Sequence, residues 1–167
     1  SRGLGDVYKR QVLTSQEEAQ EIKEIVDAGV EGIPEEDLQV LDFKRWREAL
    51  SRGFAAHHAG MLPAFRHIVE DLFVRGLVRA VFATETLALG INMPARTVVL
   101  EKLIKFNGEA HVDLTAGQYT QLTGRAGRRG IDTLGNAVVQ WAPAMDPRQV
   151  AGLASTPVSY THLTLPT

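Results

Sequence analysis

A stretch rich in arginine and glycine, QLTGRAGRRGID at residues 121–132, carries the residue types best suited to hold a phosphate group. If the stretch is helical, its spacing places Gln121, Arg125 and Arg128 on one face at i, i+4 and i+7, with Arg129 pointing elsewhere. Guanidinium groups donate forked hydrogen bonds to phosphate oxygens, so this face suits a phosphate. The same spacing is almost as consistent with a solvent-exposed basic helix end that binds no phosphate, because positive charges are favourable near a helix C-terminus.

The glycines of this stretch have a cost and a use. Gly124 and Gly127 each weaken a helix by about 1 kcal/mol, and each can let another backbone approach closely. No glycine of the chain is followed by lysine, so the sequence lacks a GxxxxGK[ST] phosphate loop. It also has no Asp-Glu pair after an apolar strand to hold magnesium. The arginines therefore predict phosphate contacts without a nucleotide cradle of their own.

Two further stretches offer polar groups. In HHAGM, His57 and His58 are neighbours on a predicted strand and point to opposite faces, so we expect no metal site there. His58, beside the turn residue Gly60, suits either a phosphate contact or a packing role. In ATETLALGINMP, Thr84 and Gly90 could contact an anion through hydroxyl and backbone N–H groups. A helix N-cap at Thr84 or Thr86 is the better local interpretation.

The elements that must position these groups alternate between helix and strand. Apolar residues at helical spacing, with Ser15 and Glu18 as a capping box and Pro63 in a first turn, mark the helices. The pattern predicts helices over 13–29, 35–50, 62–76 and 114–129, and strands over 54–60, 78–84, 96–101 and 136–141. This alternation predicts an α/β fold with a mainly parallel sheet. Ligands bind beyond the carboxyl ends of parallel strands, where His58 and Thr84 fall.

The composition limits the function classes. The net charge is -2, which argues against a broadly basic nucleic-acid binder, so such binding must come from local groups. The chain has no cysteine and therefore no disulfide or thiolate site. No apolar run approaches a membrane span, and no signal-peptide core is present. We expect a cytoplasmic protein with no membrane partner.

The two ends differ from the rest of the chain. One DNA element, read in opposite orientations, can encode both Asp6–Gln11 and Val158–His162, and it resembles the transposase adaptor used in sequencing libraries. We therefore expect residues 1–11 and 158–167 to be non-native translations. Residues 12–157 are then the natural part, which we expect to be an internal piece of a longer protein.

Three motifs in order, FAAHHAGMLP, VFATETLALGINMPARTVV and QLTGRAGRRGID, resemble the second RecA-like domain of superfamily 2 DEAD/DEAH-box helicases. The likeness is closest to the superkiller-type, exosome-associated RNA helicases and their actinobacterial relatives, and it covers residues 12–157. It implies a RecA-like, three-layer α/β domain with a mainly parallel sheet, here without its first strand.

The resemblance also implies a role for the opening stretch, which matches the sixth helicase motif. Gln121 would face the ATP γ-phosphate, and Arg125 and Arg128 would be arginine fingers. Arg129 has no assigned role. The phosphate loop and the carboxylates that hold ATP with Mg²⁺ belong to the first RecA-like domain, which this chain lacks. We expect the chain to be inactive alone.

The other two motifs would contact nucleic acid and the nucleotide. By resemblance, Thr84 in the fifth motif would contact a nucleic-acid phosphate, and Gly90 and Asn92 would lie near the nucleotide at the domain interface. His58 and Gly60 would lie near the strand backbone. The implied partners are single-stranded nucleic acid, RNA rather than DNA, and the first RecA-like domain in cis. A non-catalytic nucleic-acid-binding module and an inert truncated fragment remain the alternatives.

Overall fold

A computed structural model describes residues 11–84, 93–106, 108–143 and 145–156, with the side chains of residues 105 and 106 left out of the description. The chain forms two compact units, Ser1–Leu87 and Ala88–Thr167. Both contain helices and parallel strand pairs, so the predicted α/β class is confirmed. The elements are α1 Gln16–Gly29, α2 Glu35–Val40, α3 Phe43–Ser51, β1 Phe54–His57, α4 Pro63–Val74, β2 Ala80–Ala83, β3 Thr97–Leu100, β4 Ile104–Phe106, β5 His111–Asp113, α5 Ala116–Thr123, β6 Asn136–Val139 and α6 Pro147–Ser155.

The first helix begins where the sequence predicts. The Ser15 hydroxyl accepts from the Glu18 backbone N–H at 3.1 Å, and the Glu18 carboxylate accepts from the Ser15 N–H at 2.8 Å. This capping box satisfies two backbone donors that a helix start leaves open. Ile22 and Val26 bury the inward stripe of α1 completely.

The predicted helix over 35–50 is interrupted. Asp42 adopts a left-handed conformation with φ 51°, which separates α2 from α3. Aspartate is among the few non-glycine residues that tolerate this conformation, because its short side chain can bond locally. The prediction of one continuous helix is therefore wrong. The apolar spacing alone carried no signal for the break.

The first unit is built on the parallel pair β1–β2, in register from Phe54 opposite Ala80 to His57 opposite Ala83. Leu72 and Val69 of α4 are fully buried, as is Leu50 of α3. A stacked pair, Trp46 and Phe65, has ring centroids 4.2 Å apart and extends this core. At about 1.5–3 kcal/mol for each large buried side chain, these helices hold the strand pair in place.

The second unit has two strand pairs among its described residues. β3 and β6 are parallel, which confirms the predicted pairing class for these strands. β4 and β5 form an antiparallel hairpin that the sequence pattern does not predict. The core of the second unit contains Leu103, Leu114 and Tyr119, and α6 packs against them through Val150 and Leu153. The described part of the chain contains no helix long and apolar enough to cross a membrane.

Candidate functional site

The predicted contact residues of the first unit lie at one edge of its strand pair. The Thr84 backbone N–H donates to the His57 carbonyl at 3.4 Å, just past the paired ends of β1 and β2. His58 and Gly60 follow β1 at the same edge. The expectation that these residues gather beyond the carboxyl ends of parallel strands is met. Their roles toward nucleic acid stay predictions.

The adjacent histidines do point to opposite faces. The His57 side chain is fully buried, and its Nε2 lies 2.9 Å from Glu70 Oε1 on α4. A carboxylate only accepts, so Nε2 carries the hydrogen and donates it. His57 Nδ1 is buried without a partner among the described residues. His57 is thus a structural residue that ties β1 to α4.

His58 is exposed and lies over a glycine. A Cβ on Gly60 would be 3.2 Å from His58 Nδ1, which is a tight contact. The His58 carbonyl also accepts from the Met61 N–H at 3.1 Å, which closes the turn. The missing side chain at Gly60 therefore leaves room for the His58 ring.

The arginine-rich stretch is not a continuous helix. α5 begins with a second capping box, in which Thr115 and Gln118 satisfy each other's backbone N–H groups. It ends at Thr123, so Arg125 and Arg128 lie beyond its last turn. The prediction that Gln121, Arg125 and Arg128 share one helical face is therefore wrong.

Backbone pairing replaces the helix after Gly124. The Ala95 N–H donates to the Arg125 carbonyl at 3.0 Å, and the Gly127 N–H donates to the Ala95 carbonyl at 2.7 Å. Ala95 thus forms a parallel bridge with Ala126, just before β3 begins. These bonds compensate for the glycines that end the helix, because the backbone groups exchange one partner for another.

The glycine prediction is confirmed at Gly127. Its φ is +87°, and a Cβ there would lie 3.1 Å from the Gly135 Cα. The reverse contact is tighter, since a Cβ on Gly135 would lie 2.5 Å from the Ala126 carbonyl group and the Gly127 nitrogen. Two backbones meet here without side chains between them, which is the use of glycine at a close approach.

Arg128 lies in a turn that closes on Asp132. The guanidinium donates from Nε to Oδ2 at 2.8 Å and from Nη2 to Oδ1 at 2.9 Å. The Arg128 backbone N–H also donates to Oδ2, at 2.9 Å. The Asp132 side chain is only 8% exposed, whereas that of Arg128 is 40% exposed. The pair is therefore buried on the carboxylate side and open on the guanidinium side.

The pair shifts the acidity of both groups. Hydrogen bonds from the Arg128 side chain and backbone, together with smaller charge effects of Arg128 and Arg96, lower the pKa of Asp132 to about 2. The hydrogen bond from Arg128 to Asp132 raises the pKa of the guanidinium above its ordinary value. Both groups are therefore charged throughout the neutral range.

The other residues predicted to lie near the nucleotide are only partly covered by the described structure. Gln121 is exposed in the last turn of α5, and Arg125 is half-buried. Gly90 and Asn92 lie outside the described residues. Among the residues that the structure describes, no three carboxylate or histidine side chains are grouped to hold a metal ion.

Comparison with known proteins identifies the domain. Residues 30–130 match the family described as helicase conserved C-terminal domain. This chain belongs to that family. The match covers the histidine turn, the Thr84 region and the arginine-rich stretch as far as Gly130, and it confirms the RecA-like class expected from the three motifs.

Similar proteins are helicases of the superkiller type. Over 144 residues the domain is 68% identical to Probable helicase HelY of Mycobacterium tuberculosis, covering 86% of this chain and 16% of that protein. Over 127 residues it is 44% identical to Superkiller complex protein 2 of Homo sapiens, covering 76% and 10%. The DExH-box ATP-dependent RNA helicase DExH11 of Arabidopsis thaliana is 45% identical over 127 residues, covering 76% and 9%. The domain thus spans about a sixth or less of these relatives.

Three residues of these sites were missed by sequence reasoning. Asp132 follows Arg128 by four positions, and such an opposite-charge spacing is itself a recognised signal. Glu70 and Gly135 gave no comparable signal, because their partners His57 and Gly127 are distant or on another element. Only the tertiary contact reveals why these residue types are needed.

The buried histidine gives a first prediction. Glu70→Ala should lower the free energy of unfolding by about 1–3 kcal/mol, because His57 would keep a buried ring N–H without its acceptor. Asp71→Ala is the matched control on the same helix and should cost less than about 1 kcal/mol, since the Asp71–Arg75 pair is exposed. Urea unfolding followed by circular dichroism measures both. Equal losses would contradict the role of the His57–Glu70 contact.

The glycine contact gives a second prediction. Gly135→Ala should destabilise the second unit by about 1–3 kcal/mol, because the new Cβ meets backbone atoms that cannot rotate away. Gly152→Ala in α6 is the control. Its Cβ would meet nothing within 4 Å, so it should stabilise the helix by about 0.5–1 kcal/mol. Thermal unfolding of the two variants should shift in opposite directions, and an unchanged transition for Gly135→Ala would be inconsistent with the contact.

The Arg128–Asp132 pair gives a third prediction, on pH. The folded-state pKa of Asp132 is depressed to about 2, so the pair stabilises the fold fully above the unfolded value of about 3.8 and loses this effect as the pH falls toward 2. The stability difference between wild type and Asp132→Asn should therefore be constant from pH 7 to about pH 5 and shrink by about pH 3. Urea titrations at these pH values measure it. A difference independent of pH would refute the ionised pair.

Proposed function

We propose that this domain is the second RecA-like domain of an ATP-dependent nucleic-acid helicase, and that it completes an ATP site held mainly on another domain. The observation that carries the proposal is Arg128, an arginine of the sixth-motif stretch that is fixed on one side and open on the other. Membership of the helicase C-terminal family supports it. So do relatives that are named helicases at 45% to 68% identity.

Arg128 has the donors that a phosphoryl group requires. A guanidinium carries five N–H groups, and Asp132 accepts from two of them, through Nε and Nη2. The remaining donors are on a side chain that is 40% exposed. Planar, permanently charged donors of this kind suit the negative charge that develops on a transferring phosphoryl group. We assign Arg128 as an arginine finger.

Gln121 and Arg125 are proposed to act beside Arg128. Gln121 is exposed at the end of α5, from which its amide would contact the γ-phosphate or the attacking water. The backbone bonds to Ala95 fix the main chain of Arg125. Strand-like pairing with Ala95 thus fixes the backbone at Arg125, and a turn fixes the backbone at Arg128. Gly90 and Asn92 are proposed nucleotide-interface residues by family resemblance alone.

The nucleotide itself would be held elsewhere. The sequence contains no phosphate loop with lysine. The first RecA-like domain of the parent protein would therefore bind ATP and supply the carboxylates that hold Mg²⁺. Mg²⁺ held there would neutralise part of the phosphate charge. This domain contributes arginine charge at the interface. Without the first RecA-like domain, the chain should neither bind ATP in a productive geometry nor hydrolyse it.

Nucleic acid is proposed to contact the edge of the β1–β2 pair. His58 and Thr84 are exposed there, and the backbone around Gly60 is accessible. Contacts from hydroxyl, imidazole and backbone groups to phosphates carry no base information, so sequence preference should be weak. RNA is the favoured substrate because two relatives are named RNA helicases. A cytoplasmic location, expected from the sequence, is part of the same proposal.

The arginine finger gives a fourth prediction. In the intact helicase that contains this domain, Arg128→Ala should lower kcat for RNA-stimulated ATP hydrolysis by about 10³–10⁵, because transition-state charge loses its donor. Steady-state phosphate release measures the rate, and circular dichroism checks the fold.

Arg129→Ala is the matched control for this experiment. Arg129 is the next residue, is exposed, and makes no ion pair among the residues described. It should turn over ATP at close to the wild-type rate. Near-normal turnover by Arg128→Ala would overturn the assignment of the finger. RNA binding that persists without any ATPase activity in the wild type would favour a non-catalytic binding module.

A further inference from the structure

Asp132 has a largely covered carboxylate that the proposed function does not use. Its side chain is 8% exposed and forms all three of its recorded hydrogen bonds with Arg128. Two come from the guanidinium and one from the backbone N–H of the same residue. Because these three hydrogen bonds all come from Arg128, the carboxylate can restrict the conformation of that residue.

The geometry fixes the arginine at both ends. The backbone bond to Oδ2 anchors Asp132 to the main chain of Arg128, and the forked bond to Oδ1 and Oδ2 anchors the guanidinium plane to Asp132. The turn itself is closed by the N–H groups of Ile131 and Asp132, which donate to the Arg128 carbonyl at 3.0 and 2.9 Å. A long side chain with several rotatable bonds is thereby reduced to one orientation.

The orientation leaves the useful donors outward. Nε and one Nη2 hydrogen face Asp132, so the other Nη2 hydrogen and both Nη1 hydrogens point away from it. Arg129 offers a contrast, because no ion pair of the described residues holds it. Of these two adjacent arginines, Arg128 has an ion-pair partner and Arg129 has none among the described residues.

We propose that Asp132 is a positioning residue for ATP hydrolysis, which holds the Arg128 guanidinium in the orientation required by the transferring phosphoryl group. The inference rests on the proposed function of Arg128 as an arginine finger. Fixed donors stabilise a transition state without reorganisation at the moment of reaction, so the benefit falls on kcat rather than on ATP affinity. The carboxylate also lowers the net charge at this position, so precise placement, rather than attraction over distance, is what the pair supplies.

The test uses Asp132→Asn in the intact helicase. Asparagine keeps an oxygen for the Arg128 backbone N–H but cannot accept a charged fork with both of its terminal atoms. We expect kcat for RNA-stimulated ATP hydrolysis to fall by about 10–100-fold with little change in KM for ATP, as for a misplaced catalytic group. A residue that only stabilises the fold would change the melting temperature and leave kcat unchanged well below it.

Three further variants separate the positioning of Arg128 from its charge. Arg128→Lys keeps the positive charge but cannot form the fork, so kcat should fall by at least as much as in Asp132→Asn. In the background of Arg128→Ala, adding Asp132→Asn should have no further effect on kcat, because the residue it positions is gone. Asp132→Glu keeps the charged fork on a longer stem and should recover part of the rate.

The outcomes distinguish the two proposals. If Arg128→Ala is inactive but Asp132→Asn has normal kcat, the positioning role is wrong and the arginine finger stands. If Arg128→Ala is active, the finger assignment itself fails. Normal activity of Arg128→Lys, or an added loss from Asp132→Asn in the Arg128→Ala background, also overturns the positioning role. Should Asp132→Asn unfold, Asp132→Glu decides: a folded variant with kcat below the wild type is expected, and a wild-type kcat would overturn the positioning role.

Discussion

The close approach of the Gly127 and Gly135 backbones is the constraint on which the sixth-motif stretch depends. It holds the chain after α5 against the start of β6, where any side chain at Gly135 would overlap the Ala126 carbonyl group. The adjoining bonds from Ala95 then fix the stretch beside the entry to β3. Arg128 begins its turn one residue later. Its position is therefore set by backbone contacts rather than by helix geometry.

A fixed backbone alone does not fix a guanidinium. Arginine has many rotamers, and holding it in one costs about 2 kcal/mol of side-chain entropy. The charged fork to Asp132 offsets this cost before any ligand arrives, because the carboxylate stays ionised at neutral pH. The domain thus carries a preorganised cation at its surface. Preorganised charge is what a domain needs if it is to complete a site whose nucleotide is bound by another domain.

The first unit uses a different arrangement at its edge. There the buried His57 is hydrogen-bonded to Glu70, and His58 is exposed. His57 anchors β1 to α4, and Thr84 is tied to β1 through the His57 carbonyl. One histidine therefore stabilises the edge at which the other is presented. The two adjacent residues are identical in type and opposite in exposure because a strand alternates its faces.

The sequence by itself determined the class of fold and the family. Apolar spacing within one element predicted α1 and α4, and the alternation of helices and strands predicted the parallel pairs. Three motifs in order predicted the helicase C-terminal family, which the comparisons confirm.

Only the tertiary structure decided where the arginines lie. The helix was expected to continue to residue 129, but pairing with Ala95 and the contact with Gly135 end it at Thr123. Long-range backbone contacts of this kind override local propensity, and a single sequence does not record which distant segments will meet. The partner choices of His57 and Arg128 follow the same logic: their residue types could be read from the sequence, but which carboxylate each one meets is fixed by the folded chain.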